Sequence, residues 1–122
     1  MLSESPRILL IDDDVVFGKI MGEVAQTQGI SLEYHPTVRK LTELLSKSRF
    51  DVILIDYELR GVTGLQLVRL ISKHHPSAKV VLISSYLGID GREWPQTVRD
   101  FVCKRSGPDT VLSRAREALN AP

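Results

Sequence analysis

Four short apolar runs carry no polar alternation: "RILLI" at 7–11, "DVILI" at 51–55, "KVVLI" at 79–83 and "FVC" at 101–103. A strand with one wet face alternates polar and apolar side chains. Continuous apolar strands are covered on both faces, as in a parallel sheet clothed by helices. A fifth run, "ISLEY" at 30–34, does alternate, with Ile30, Leu32 and Tyr34 inward, which suits an edge strand.

Between these runs the apolar spacing becomes helical. Asp14 is placed to cap a first helix in which Val16, Ile20 and Val24 recur every four residues, and Gly29 stands where that helix stops. Thr37 is the expected cap of a second, carrying Val38, Leu41, Leu44 and Leu45. A third begins near Gly64, presents Leu65, Val68 and Ile71 on one face and ends before Pro76. Pro108 opens the last, whose stripe is Val111, Leu112, Ala115 and Leu119. Strands alternating with helices imply a parallel sheet with right-handed crossovers. The stretch "YLGIDGREWPQTVR" at 86–99 should hold the remaining helix, but Gly88, Gly91 and Pro95 oppose a regular one, so a short or distorted helix is expected. The chain reads as one domain over 1–122 with a core of about 7–119, and "NAP" at its end reads as a tail.

Sixteen Lys+Arg against fifteen Asp+Glu give a net charge of +1, without the overall field that draws in nucleic acid or an anionic membrane. Cys103 is the single cysteine and is expected to be a buried structural thiol in a reducing compartment. "MLSESPR" has no apolar core before Pro6, and no run approaches the ~20 apolar residues of a membrane span, so a soluble, cytoplasmic protein is expected. His35, His74 and His75 lack metal-ligand spacing and are expected at the surface, whereas Trp94 is expected to be partial core.

In an open parallel sheet, ligands bind beyond the carboxyl ends of the strands. The first run is followed by Asp12 and Asp13, the second by Asp56, the third by Ser84 and Ser85, and the fourth by Lys104. Carboxylates gathered without a counter-charge repel one another, and a hard divalent cation relieves the repulsion through oxygen ligands. Mg²⁺ suits such a shallow cluster, because it uses one or two protein carboxylates and keeps positions for water and phosphate oxygens. With Ser84 as donor and Lys104 as point charge, the edge becomes a receptor for a phosphoryl group, and a carboxylate there, Asp56, can attack phosphorus. Asp14 is better explained as the helix cap.

The set "LLIDDD", "VILIDYELRGVTGLQLV", "VVLISS" and "FVCK" resembles the receiver domain of two-component response regulators, the CheY-like superfamily, from about Arg7 to Leu119. The resemblance implies a flavodoxin-like five-stranded parallel sheet of order 2-1-3-4-5 with helices on both faces. It also implies that Asp56 accepts a phosphoryl group from a sensor histidine kinase or phosphotransfer protein. Asp13, Asp56 and the backbone carbonyl of Glu58 would ligate Mg²⁺, with Asp12 acting behind them, often through water. Ser84 would bond the phosphoryl oxygen, Lys104 would pair with Asp56 or the phosphate, and Phe101 would occupy the position of the switch aromatic. The downstream partner is not implied; a homodimer is compatible, and direct nucleic-acid or membrane binding is not expected. The domain would be a signalling protein acting on itself, not an enzyme with separate turnover.

Several positions depart from the commonest family pattern. Arg60 stands where Pro is frequent, Thr63 where an acid is frequent, and Arg105 follows Lys104 where Pro is usual, so a trans Lys104–Arg105 bond is expected. Glu58 and Tyr86 occupy positions that, in the family, tune hydrolysis of the acyl phosphate. Two other functions compete with the phosphoacceptor. One is a degenerate receiver that binds proteins without phosphorylation. The other is a haloacid-dehalogenase-like phosphatase using Asp12, for which "VVLISSY" lacks the further acids and Asp56 has no task.

Overall fold

A computed structural model describes residues 6–86 and 94–120 of the chain. The elements run β1 (Arg7–Ile11), α1 (Val15–Thr27), β2 (Ser31–His35), α2 (Leu41–Lys47), β3 (Val52–Asp56), β4 (Glu58–Leu59), β5 (Val62–Thr63), α3 (Gly64–His74), β6 (Lys79–Ser84), β7 (Val98–Cys103) and α4 (Pro108–Leu119), with a 3₁₀ turn at Lys104–Ser106. The main sheet is wholly parallel in the order β2-β1-β3-β6-β7, the order expected, and β4-β5 form a small antiparallel hairpin beside it. It is a CheY-like fold.

The unalternating strands bury both sets of side chains. Ile8, Leu10, Val52, Leu54, Val81 and Ile83 join a core with α1 and α4. Leu9, Ile11, Ile53, Ile55, Val80 and Leu82 turn to the other face and pack with α2 and α3. Each fully buried Leu or Ile contributes roughly 1.5–3 kcal/mol of transfer free energy, so the sheet's two apolar faces dominate the fold's stability. That leaves the carboxyl ends of its strands free for chemistry.

Asp14 caps α1 as expected, accepting the Phe17 N–H, and the chain leaves that helix through Gly29 at φ +69°. The expected stripe of α1 is wrong, however. Val16 is 68% and Ile20 39% exposed, while Gly18, Met21 and Ala25 are the buried residues, with Phe17 and Val24 packed against the same core. The four-residue spacing matched a helix, but of its three residues only Val24 packs on the core, while Val16 and Ile20 turn to solvent. Thr37 is also not the cap expected: α2 begins only after Lys40, without a side-chain cap, and Thr37 accepts the Arg39 N–H instead. By contrast, α3 carries an unforeseen capping box between Thr63 and Gln66. In α4, Ala118 is buried and Leu119 only partly so.

The last strand starts earlier than its apolar core suggested, at Val98, with an irregularity against β6 between Val80 and Val81. Of the 86–99 segment expected to hold a distorted helix, residues 94–99 instead run through a turn into this strand, because Val98 pairs with β6, and 87–93 lie outside the described residues. The Lys104–Arg105 bond is trans. Two histidines are less exposed than expected: His35 pairs with Glu33 at 2.6 Å, and His75 Nε2 bonds the Leu45 carbonyl. Cys103 is half-buried instead of buried.

Candidate phosphoacceptor site

Because β1, β3, β6 and β7 are successive neighbours, their carboxyl ends bring Asp12, Asp56, Ser84 and Lys104 to one edge. Oxygens of Asp12, Asp13 and Asp56 lie within 4.8 Å of one another. The Lys104 ammonium stands 2.6 Å from Asp12 Oδ2 and 3.2 Å from Asp56 Oδ2. It also lies 5.2 Å from the centre of the Phe17 ring, which shields its other side. All three charged groups are nearly removed from solvent, with side-chain exposures of 10% for Lys104, 0% for Asp12 and 7% for Asp56.

Burial pushes the Asp12 carboxyl up from 3.8 to about 6, and the charge of Asp56 adds to the rise; the Lys104 bond and the Asp14 N–H only partly oppose it. Burial also works against the Lys104 ammonium, but the bond to Asp12 and the two carboxylate charges outweigh it and hold its pKa above the ordinary value. Lys104 between Asp12 and Asp56, with exposed Arg60 4.0 Å from Asp13, leaves the three carboxylates outnumbering the cations beside them among the described residues. Asp12 Oδ2 has the Lys104 ammonium as its charged partner, and Oδ1 accepts the Asp14 N–H. An all-oxygen donor set within 4.8 Å and with an excess of negative charge fits a hard divalent cation.

The remaining residues frame this cluster. Asp13 has the Arg60 guanidinium 4.0 Å away, and a cleft of about 380 Å³ between residues 36–39 and Leu59–Arg60 opens onto it. The Glu58 N–H donates to Asp56 Oδ1 at 3.0 Å. Ser84 is already engaged: its hydroxyl donates to Glu58 Oε1 at 2.7 Å and accepts the Tyr86 N–H at 3.0 Å. Phe101 lies partly buried in an aromatic group, its ring centre 5.2 Å from Trp94 and 6.4 Å from Tyr57.

Asp12, Asp13, Asp56, Glu58, Ser84 and Lys104 thus meet at this edge, with Phe101 on the neighbouring strand. Sequence reasoning had Lys104 meeting Asp56 and missed its closer contact with Asp12. It also missed the Glu58 carboxylate as partner of Ser84 and the Trp94 ring as neighbour of Phe101. An acid two residues beyond the central Asp56 was the available signal for the first of these. Nothing local announces the second.

The family model of the response regulator receiver domain matches residues 8–116. The chain belongs to this family. As a receiver domain of the kind found in two-component response regulators, it is similar over 93% of its length, at 25% identity, to an uncharacterized transcriptional regulatory protein, YbdJ, of Bacillus subtilis, covering 50% of that protein. It is 27% identical to the response regulator PilR of Pseudomonas aeruginosa over 69% of this chain and 19% of that one. The chain therefore spans half or less of these curated relatives. Among solved structures, a CheY-like receiver domain from Methanospirillum hungatei matches with a TM-score of 0.84 at 20% identity, over 96% of this chain and 95% of that one. The response regulator TrrA of Thermotoga maritima, solved in complex with Mg²⁺–BeF, matches at 0.80 and 20% identity, over 93% and 98%. Membership of the receiver family displaces the dehalogenase-like reading of Asp12. No helix among the described residues is long and apolar enough to cross a membrane.

Proposed function

We propose that this receiver domain takes a phosphoryl group on Asp56 and uses the modification to change a protein-binding surface. The observation that carries the reading is the placement of Asp56: a carboxylate at the end of the central strand, beside two further acids and 3.2 Å from an ammonium. A carboxylate oxygen of Asp56 attacks phosphorus of a phosphohistidine, the O–P bond forming as the P–N bond breaks and imidazole leaves. Lys104 neutralises charge on the product, and Ser84 supplies a hydroxyl donor once it leaves Glu58.

Asp13, Asp56 and the Glu58 carbonyl would hold Mg²⁺, with Asp12 behind them. The ion would neutralise charge on the transferring phosphoryl oxygens. The Thermotoga neighbour, solved with Mg²⁺ together with a phosphate mimic, supports this assignment. The donor is a sensor histidine kinase or phosphotransfer protein. Val15, Val16, Ile20 and Tyr86 are large exposed apolar residues that follow the acid run or Ser84 in the chain, and they offer such a partner a surface to cover. The domain acts on itself and not as an enzyme with separate turnover, and the reducing cytoplasm is its compartment.

Acetyl phosphate with Mg²⁺ should add one alkali-labile phosphoryl group to the wild type, read by intact mass, and none to Asp56→Asn. Equal labelling of the Asn variant would remove Asp56 from this role. A wild type that takes no label from acetyl phosphate or a histidine kinase, and no beryllium fluoride, would favour the phosphorylation-independent binding module.

A further inference from the structure

Tyr34 lies on the edge strand β2, outside the acid cluster, yet its hydroxyl donates to the main-chain carbonyl of Asp12 at 2.7 Å. That carbonyl belongs to the peptide joining Asp12 to Asp13. A peptide unit is a rigid plane, so fixing its oxygen fixes the direction in which the chain continues to Asp13. Two further bonds hold the same residue: the Asp12 N–H donates to the His35 carbonyl at 3.3 Å, and Asp12 Oδ1 accepts the Asp14 N–H at 2.9 Å. Asp13 has far less support of its own. Its side chain is 33% exposed and its ion-pair partner, Arg60, is 97% exposed and 4.0 Å away. The position of the Asp13 carboxylate is therefore inherited from the backbone that Tyr34 holds.

The ring reaches this place only because α1 leaves room. A Cβ at Gly18 would lie 2.2 Å from Tyr34 Cζ and 2.5 Å from both Cε atoms, distances that real atoms do not adopt. Gly18 is otherwise an unfavourable choice inside a helix, with no side chain and excess backbone freedom in the unfolded chain. Its presence is explained by the ring lying against it.

We infer that Tyr34 is a positioning residue for the metal site: its hydroxyl sets the Asp12–Asp13 peptide so that the two carboxylates converge with Asp56, and Gly18 is the clearance that permits it. The inference rests on the reading of Asp12, Asp13 and Asp56 as the Mg²⁺ site. Groups that orient metal ligands without touching the metal alter affinity by about 10–100-fold when removed. Here the lower end is expected, because the Asp12 N–H and Oδ1 bonds remain.

The test is calorimetric titration with Mg²⁺ alone, on the whole chain, for the wild type, Tyr34→Phe, Gly18→Ala and the double variant. Tyr34→Phe keeps the ring and removes one oxygen, and should weaken Mg²⁺ about tenfold. Gly18→Ala should weaken it comparably by displacing the ring, although alanine favours the helix. In the Tyr34→Phe background the same change should alter Mg²⁺ affinity by less than about twofold, since no hydroxyl bond remains to lose. A Tyr34→Phe protein that binds Mg²⁺ like the wild type overturns the inference, even if its thermal stability falls, because the hydroxyl would then support the fold alone. Independent, multiplicative losses in the double variant overturn the link to Gly18. A wild type that binds no Mg²⁺ overturns instead the metal reading on which the inference rests.

Discussion

The two flanks of Asp56 are built differently. On the β1–β2 side, Asp12 is held through its N–H, its carbonyl and its carboxylate by His35, Tyr34, Asp14 and Lys104. On the β6–β7 side, Ser84 is held by a hydroxyl bond to one exposed glutamate and by the Tyr86 N–H, and Phe101 by a tilted ring contact with half-buried Trp94 and an edge contact with Tyr57. The first flank must present ligands in fixed places, so it uses directional bonds to backbone. On the function proposed above, the second would move when a phosphoryl group arrives, and its contacts are ones a new charged acceptor can outcompete. The proposed function thus divides this edge into a part that binds and a part that reports.

The largest test of that division is Lys104→Ala. It removes the cation from between Asp12 and Asp56, and taking one partner from a buried pair costs about 3 kcal/mol or more. The pH dependence has a definite sign. The Asp12 carboxyl is raised from 3.8 to about 6 mainly by burial, so in metal-free protein its ionisation opposes folding: its contribution is most favourable below about pH 4, falls as pH rises to about 6 and is level above. Denaturant titrations of metal-free Lys104→Ala should show the largest deficit near pH 8 and a smaller one below pH 5, with saturating Mg²⁺ restoring part of the loss at pH 8. A deficit independent of pH would mean that Lys104 supports the fold by packing and not by charge.

Asp14 belongs to the fixed flank but not to its chemistry. Its side chain accepts the Phe17 N–H at 3.1 Å, so Asp14→Ala should cost about 1 kcal/mol by thermal melting and leave Mg²⁺ affinity within about twofold. A large loss of metal would make the third acid a member of the site. The smallest expected effect lies on the reporting flank. Beryllium fluoride with Mg²⁺ should change Trp94 emission in the wild type, because the Trp94 ring lies 5.2 Å from that of Phe101, and Ser84→Ala should blunt that change while leaving Mg²⁺ binding unchanged. An undiminished response in Ser84→Ala would sever Ser84 from Phe101.

Much of the fold was legible because its signals are local. Unalternating runs marked β1, β3 and β6, Asp14 and Pro108 marked helix starts, and the residues after each run marked the site. The face of α1 was not legible. Val16, Ile20 and Val24 satisfy a helical spacing, but which side of a helix meets the sheet depends on how closely it can approach, and Gly18 against Tyr34 settles that. Thr37 failed as a cap for a related reason: a capping residue announces itself only if the helix begins there, and α2 begins four residues later.

What the sequence by itself determined is the order of the five parallel strands and of α1 to α4 among them, and the kinds of group delivered to one edge, since apolar periodicity and residue chemistry are properties of short stretches. Only the tertiary structure decided which carboxylate Lys104 approaches more closely, that Ser84 is engaged by Glu58, that Phe101 has Trp94 beside it, and that a tyrosine from the edge strand holds the first acid in place. These contacts join residues 7 to 92 positions apart. Their partners are chosen by strand order, register and the clearance between packed elements, quantities that exist only once the chain has closed on itself.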